Sequence, residues 1–286
     1  MMDIPEIGLG CANLIQATLP ELIETAARNG FRRITARPYT FAKVLQDGLS
    51  EDSLRRQLDD SGIEVTMIDA LTHALPGVLP PESLDLATRT AMPPDVLYPP
   101  DEKTVFRAAE VLGASIVNVT HYLGVPVPVD QLAGAISGIC RRARDRGLQI
   151  ALEFIPDTGL PDLPFTQAVV EACDEPNCGI TLDFFHLDRS GGTVEDVRWL
   201  PPGAIVGVQI SDRAPQPSGT AHVPFGGRCM PGEGTLPLDD LMRAALENSP
   251  GATLDIEVLN AELSSLPTDE AAARLAAGAR SWLATL

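Results

Sequence analysis

The sequence predicts an α/β fold, a closed (β/α)8 TIM barrel, on three observations. Apolar, β-branched runs alternate with runs of helical period, and the alternation repeats eight times. No structureless linker divides it, so residues 1–286 are expected to form a single domain, a common length for an α/β barrel. Four of the runs also end in an oxygen-bearing side chain: Glu153 in LQIALEF, Asp183 in CGITLDF, Gln209 in AIVGVQI and Glu257 in ATLDIEV. Strands of a parallel barrel deliver their C-terminal ends to one mouth, so these four groups are expected to converge. An open doubly wound sheet is the alternative. Against it, GLGCAN (8–13), after the first run, does not continue as the Gly-rich phosphate fingerprint GxGxxG.

In chain order the strands are expected at 6–12, 32–37, 63–70, 115–120, 148–154, 178–184, 204–210 and 252–258. The helices between and after them are expected at 19–30, 51–62, 102–113, 129–147, 165–175, 193–200, 238–248 and 268–285. Four of these stop at Gly30, Gly62, Gly113 and Gly147, where a left-handed C-terminal cap is least strained. Two βα connections are long: 71–100, rich in proline, and 211–234. Loops of this length in a compact domain usually carry function, and both overhang the same predicted mouth.

Composition narrows the function classes. A formal net charge of -18 repels phosphate backbones, and the small basic clusters Arg32-Arg33 and Arg141, Arg142, Arg144, Arg146 read as solvated faces, so no nucleic-acid partner is expected. MMDIPEIGLG has no basic segment followed by an apolar one, and no run reaches the roughly 18 apolar residues of a membrane helix. A cytoplasmic protein with no membrane partner is the expectation. The five cysteines are scattered without a CxxC pair, which argues against a disulfide framework and a thiolate zinc site. Cys173 and Cys178, flanking a helix-to-strand turn, read as small buried hydrophobes.

Carboxylates and an amide suit one hard divalent cation, Mn²⁺ or Mg²⁺, with Co²⁺ or Zn²⁺ as further candidates. Such an ion polarises the carbonyl of a hydroxy-carbonyl substrate, and Glu153 and Glu257 on either side of it could move protons. A single strand-end carboxylate is more often solvated or salt-bridged; four at matching positions are not. Asp255 shares a face with Glu257, so spacing leaves that choice open, and Glu257 is preferred because it lies nearer the strand end. His186, three residues after Asp183, is a candidate base or a histidine bonded to a ligand carboxylate. Arg228, in a Gly-rich loop, can fork onto an anion. His73 and His121 follow the third and fourth strands and are candidate substrate contacts, with loop packing as the alternative; nothing fixes the direction of His222.

The segments ALEF (151–154), LDFFH (182–186), VQISD (208–212), RCMPGEG (228–234) and IEV (256–258), taken in order, resemble the xylose isomerase-like sugar phosphate isomerase/epimerase superfamily of metal-dependent TIM barrels. The resemblance implies a metal held by Glu153, Asp183, Gln209 and Glu257, with His186 and Arg228 facing the substrate. Asp212 resembles the family's aspartate at this place, which would hold a ligand or Arg228. Two positions depart from the commonest pattern. Gln209 stands where most isomerases and epimerases have His, as in the related dehydroshikimate dehydratases, and Arg37 stands where the second strand usually ends in Glu, offering a cation to an anionic substrate.

Three functions follow. The first is a metal-dependent sugar (phosphate) isomerase or epimerase acting on a small keto sugar, polyol or cyclic hydroxy-keto acid, with Glu153 and Glu257 exchanging the proton. The second is a dehydratase (lyase) of the 3-dehydroshikimate or inosose type, with His186 as base. The third is a non-catalytic binding barrel. Barrels of this type often pair, so a homodimer is open.

Overall fold

The structure is a computed structural model, and it describes residues 6–72, 75–92, 94–215 and 227–286. Its barrel strands are β1 (Ile7–Leu9), β2 (Arg33–Ala36), β3 (Glu64–Leu71), β4 (Ile116–Val119), β5 (Gln149–Glu153), β6 (Cys178–Asp183), β7 (Ile205–Ile210) and, after the short hairpin β8 (Asp212–Arg213) and β9 (Arg228–Cys229), β10 (Thr253–Ile256). The eight barrel strands pair in parallel and in chain order, and β10 closes the ring onto β1 through Ile7–Leu254, Gly8–Asp255 and Leu9–Ile256. This is a (β/α)8 TIM barrel, and the predicted strands agree with it to within three residues at either end.

Helix boundaries follow local chemistry. Thr18 and Glu21 form a capping box at the start of Leu19–Arg28, while the Ser50, Asp101 and Asp162 side chains each accept a backbone N–H in the first turn of the helix that follows. All four glycines expected to stop helices take positive φ: 82° at Gly30, 65° at Gly62, 76° at Gly113 and 71° at Gly147. Short helices absent from the expectation occur at Pro38–Gln46, Leu86–Ala91, Pro94–Leu97, Phe184–Arg189 and Ala261–Ser264. The first has Pro38 at its first turn, where proline lacks nothing a helix needs. Phe184–Arg189 starts directly from β6 because Asp183 caps it, Oδ1 accepting from the His186 N–H at 2.8 Å.

Two packed layers result. The main core lies between sheet and helices, for example Leu9, Ile34, Val117, Leu152, Leu182 and Ile256 against the helical shell. Inside the ring, Met67, Ile116, Ala151 and Val206 form a separate apolar plug. Gly207 makes room for it: a Cβ there would lie 2.7 Å from Met67 Cε. Each of Met67, Ile116 and Ala151 sits two residues before a polar side chain, namely Asp69, Asn118 and Glu153. Strand alternation thus stacks a polar layer directly above an apolar one.

Candidate active site

Glu153, Asp183, Gln209 and Glu257 meet at the C-terminal mouth of the barrel, all buried. Register explains the choice between the two acids of the last strand. Asp255 is the partner of Gln209 in the β10–β7 pairing, and Glu257 lies one pleat further toward the mouth. Glu257 Oε1 is 3.4 Å from Gln209 Nε2 and its Oε2 is 3.3 Å from Arg228 Nη1, whereas neither Asp255 oxygen has a hydrogen-bond partner among the described residues.

Arg228, carried on β9, is the cation of this cluster. Its Nη1 donates to Asp183 Oδ2 at 2.6 Å, Ser211 Oγ at 3.3 Å and the Glu257 carbonyl at 3.2 Å, and Nη2 lies 3.1 Å from His186 Nε2. The guanidinium also stacks over Phe185, 4.8 Å from the ring centroid. With one per cent of its side chain exposed, Arg228 is drawn inward by two carboxylates, and among the described residues its Nε has no hydrogen-bond partner. His186 Nε2 is 3.7 Å from Glu153 Oε1 and 4.0 Å from Asp183 Oδ2, at the centre of the same group.

Electrostatics separates the carboxyl groups. Burial pushes Asp183 up, but Arg228 and His186 together outweigh it and hold the group below the usual carboxylate range. Glu153 is pushed well up by burial and by the charges of Asp69, Glu257 and Asp183, with the Asn118 hydrogen bond opposing. Glu257 is pushed up to about 8, again chiefly by burial, with Arg228 opposing. With Glu153, Asp183 and Glu257 all ionised, as a bound cation would require, Arg228 would leave two negative charges for a divalent ion to balance. Gln209 Oε1 is buried with no hydrogen-bond partner among the described residues, and one donor atom each from Glu153, Asp183 and His186 lies within 4.8 Å of the others. These residues fit a divalent metal: oxygen donors, an excess of acidic groups and a buried amide oxygen beside Glu257 with no partner among the described residues.

A supporting network was not foreseen. Asn118 Nδ2 donates to Asp69 Oδ1 at 2.8 Å and to Glu153 Oε2 at 2.6 Å, and Thr181 Oγ1 donates to Asn118 Oδ1 at 2.8 Å. Asn118 fixes Glu153 so that Oε1 is the oxygen turned toward His186. The signal that exposes strand-end ligands was present in both cases: Asp69 closes TMID, and Asn118 interrupts the apolar run IVNV. Next to this network lies a cavity lined by Cys11, Arg37, Tyr39, Asp69, Thr72 and Tyr122, with Val96 and Pro100 of the 71–100 connection closing one wall.

The remaining expected residues separate. Arg37 lines the cavity and donates from Nη1 to the Ile15 carbonyl at 3.0 Å. His121 is placed as in the loop-packing alternative: its ring is fully buried between Gly124 and Gly159, where a Cβ would lie 1.5 Å and 2.3 Å from ring atoms, and Nε2 is 2.7 Å from the Pro76 carbonyl. It packs loops together. Asp212 holds neither a ligand nor the Arg228 side chain. Its oxygens accept the backbone N–H groups of Arg213, Gly232, Gly234 and Leu236, so it fixes the GEG turn, while the β8–β9 pairing carries Arg228 into place. His73 and His222 lie outside the described residues. No helix among the described residues is long and apolar enough to cross a membrane.

The solved structure of IOLI protein with a binding zinc atom superposes on this chain with a TM-score of 0.81 at 18% identity, covering 98% of this chain and 99% of that one. D-psicose 3-epimerase does so with a TM-score of 0.67 at 17% identity, covering 98% and 99%. At these identities the likeness is one of fold. Among curated proteins, the inosose isomerase of Halalkalibacterium halodurans is 24% identical over 170 residues, 55% of this chain and 60% of the relative. The 3-dehydroshikimate dehydratase of Pseudomonas aeruginosa is 26% identical over 261 residues, 89% of this chain and 38% of the relative. The matched segments thus span less than two thirds of either relative. Residues 23–286 match the family of xylose isomerase-like TIM barrels, and the chain belongs to that family.

Proposed function

We propose that this protein is a divalent-metal-dependent isomerase or epimerase of a small polyhydroxylated keto substrate, working by proton abstraction next to the carbonyl. The observation that carries this reading is the set of Glu153, Asp183, Gln209 and Glu257, delivered by four neighbouring barrel strands to one buried cluster beside a cavity lined in part by Arg37 and Asp69. The zinc in the IOLI structure and the isomerase names among the relatives agree with it. Mn²⁺ or Mg²⁺ is the expected ion, held by those four residues. When bound, it supplies a Lewis acid that polarises the substrate carbonyl.

The chain's own groups supply the rest. Glu153 receives or returns a proton at Oε1, since Oε2 is occupied by Asn118. Glu257 does the same from the far side of the cluster, so that the two glutamates serve opposite faces of one carbon. Asp183, held ionised by Arg228, keeps a fixed negative charge between them. Arg37 offers the cavity a cation for an anionic substrate group.

Dehydration is the second reading: the same abstraction followed by loss of a β-hydroxyl, with His186 as base. Gln209 and Arg37 favour it, as does the alignment with the dehydratase over 89% of the chain. Metal analysis of the purified protein, then proton NMR in D2O with Mn²⁺ or Mg²⁺ resupplied and keto sugars, inososes and 3-dehydroshikimate as substrates, separates the two. Deuterium wash-in with a new sugar isomer supports isomerisation, and a new alkene or aromatic product supports dehydration. Absence of bound metal and of any exchange would refute both and leave a binding barrel.

A further inference from the structure

The opposite end of the barrel carries a second cluster of reactive side chains. Cys140 lies on the helix Val129–Arg144, Cys173 ends the helix Leu163–Cys173, and Cys178 opens β6, yet their three Sγ atoms lie within 4.8 Å of one another. Cys173 is buried in the apolar core and Cys178 packs against it, as expected of small hydrophobes, and the fold adds a third thiol from another helix. β6 runs from Cys178 to Asp183, so the thiols sit roughly 16 Å from the carboxylates at the rise of an extended strand. The two groups are separate sites.

The cluster is clamped from several sides. Asp174, at φ 50°, ends its helix, and Asn177 Nδ2 donates to the carbonyls of Cys140 and Leu148, both at 2.9 Å. Glu175 in the same turn accepts from Ser137 Oγ at 3.0 Å and pairs with Arg141 at 3.2 Å and Arg144 at 2.7 Å. Cys140 and Cys173 are buried, while Cys178 is half-buried and gives the group an edge toward solvent. Hydrogen bonds shared within the trio draw the Cys173 thiol far below its ordinary range and push those of Cys140 and Cys178 above it, so one proton leaves readily and a bound cation would displace the other two. Three thiolates around a divalent ion carry one net negative charge. Arg141 and Arg144 exceed Glu175 by one positive charge, which balances it.

We propose that Cys140, Cys173 and Cys178 form a binding site for a thiophilic divalent cation of the zinc and cadmium type. Tetrahedral zinc–thiolate bonds of about 2.3 Å put sulfurs about 3.8 Å apart, within roughly 1 Å of the present spacing. Thiolate donors select a soft ion, whereas the oxygen donors at the mouth favour a hard one, so the two sites partition different metals. Binding releases the thiol protons to solvent and involves no redox change. The bound ion ties two helices to β6 at the base of the barrel, with solvent completing the coordination at Cys178.

Titration of the reduced, metal-free full chain with cadmium, read by the ultraviolet thiolate-to-cadmium charge-transfer band, tests this directly. A band saturating at a single equivalent is expected. It should persist in Glu153→Gln and Asp183→Asn, in which the mouth is altered, and in Cys11→Ala and Cys229→Ala. It should vanish in Cys178→Ala, the half-buried position least able to disturb folding, with circular dichroism verifying the fold. Excess zinc should displace the band. No band in the wild type, a band surviving Cys178→Ala, or mild oxidation lowering the mass by two hydrogens in place of metal uptake would overturn the proposal.

Discussion

The upper layer of the barrel interior holds Asp69, Asn118, Glu153, Asp183, Gln209 and Glu257, while the layer one pleat below holds Met67, Ile116, Ala151 and Val206. The same strands build both. Below, apolar side chains interlock and contribute stability in proportion to the area they bury. Above, buried like charges oppose folding and are tolerated because Arg228 and Asn118 donate hydrogen bonds to them. Stability and chemistry are thus separated by about one side-chain step along each strand. Asp255 is the exception, an acid in the lower layer with no hydrogen-bond partner among the described residues.

The largest effect should come from the upper layer. Asp183→Asn removes the charge held by Arg228, and turnover should fall by more than about 100-fold with loss of metal content, while the circular dichroism spectrum is unchanged. Retained activity with full metal occupancy would break the contrast between the layers.

Next, Met67→Ala empties part of the plug and should lower unfolding free energy by about 2–5 kcal/mol in urea titration, with kcat/KM of the folded fraction near wild type. An unchanged midpoint would show that the plug is not a close-packed layer.

The third prediction concerns Asp255, whose carboxyl is pushed up to about 7 by burial, then by the charge of Asp69, with Arg33 opposing. In metal-free protein the folded state keeps this proton after the unfolded chain has released it. Stability contributed by the protonated group is therefore present below about pH 4 and lost as pH rises toward 7. Asp255→Asn should flatten that window and raise stability at about pH 8 by roughly 2 kcal/mol, the shift's ~4 kcal/mol less the burial of an unbonded amide. Parallel stability–pH profiles for variant and wild type would contradict it.

The smallest change is expected on the shell. Arg142→Ala removes the exposed pair with Glu102 and should shift stability by less than about 1 kcal/mol without touching turnover.

How far these features were legible depends on their range along the chain. Alternation within five or six residues marks the oxygen at the end of LQIALEF or CGITLDF, and the eightfold repeat predicts the barrel. The same rule applied to TMID and IVNV would have exposed Asp69 and Asn118. The helix that opens at Pro38 escaped the sequence reading, because proline at a first helical turn leaves no apolar period of its own.

By itself, then, the sequence determined the barrel, the mouth and the four strand-end ligand candidates, since periodicity and strand direction are local properties that closure merely repeats around a ring. Tertiary structure alone decided what depends on segments distant in the chain. It turned Arg228 into the carboxylates and wedged His121 between Gly124 and Gly159. It spent Asp212 on the amides of the GEG turn and gathered Cys140, Cys173 and Cys178 at the base. In each case the deciding energy is burial of a polar or charged group against a partner that no local pattern specifies.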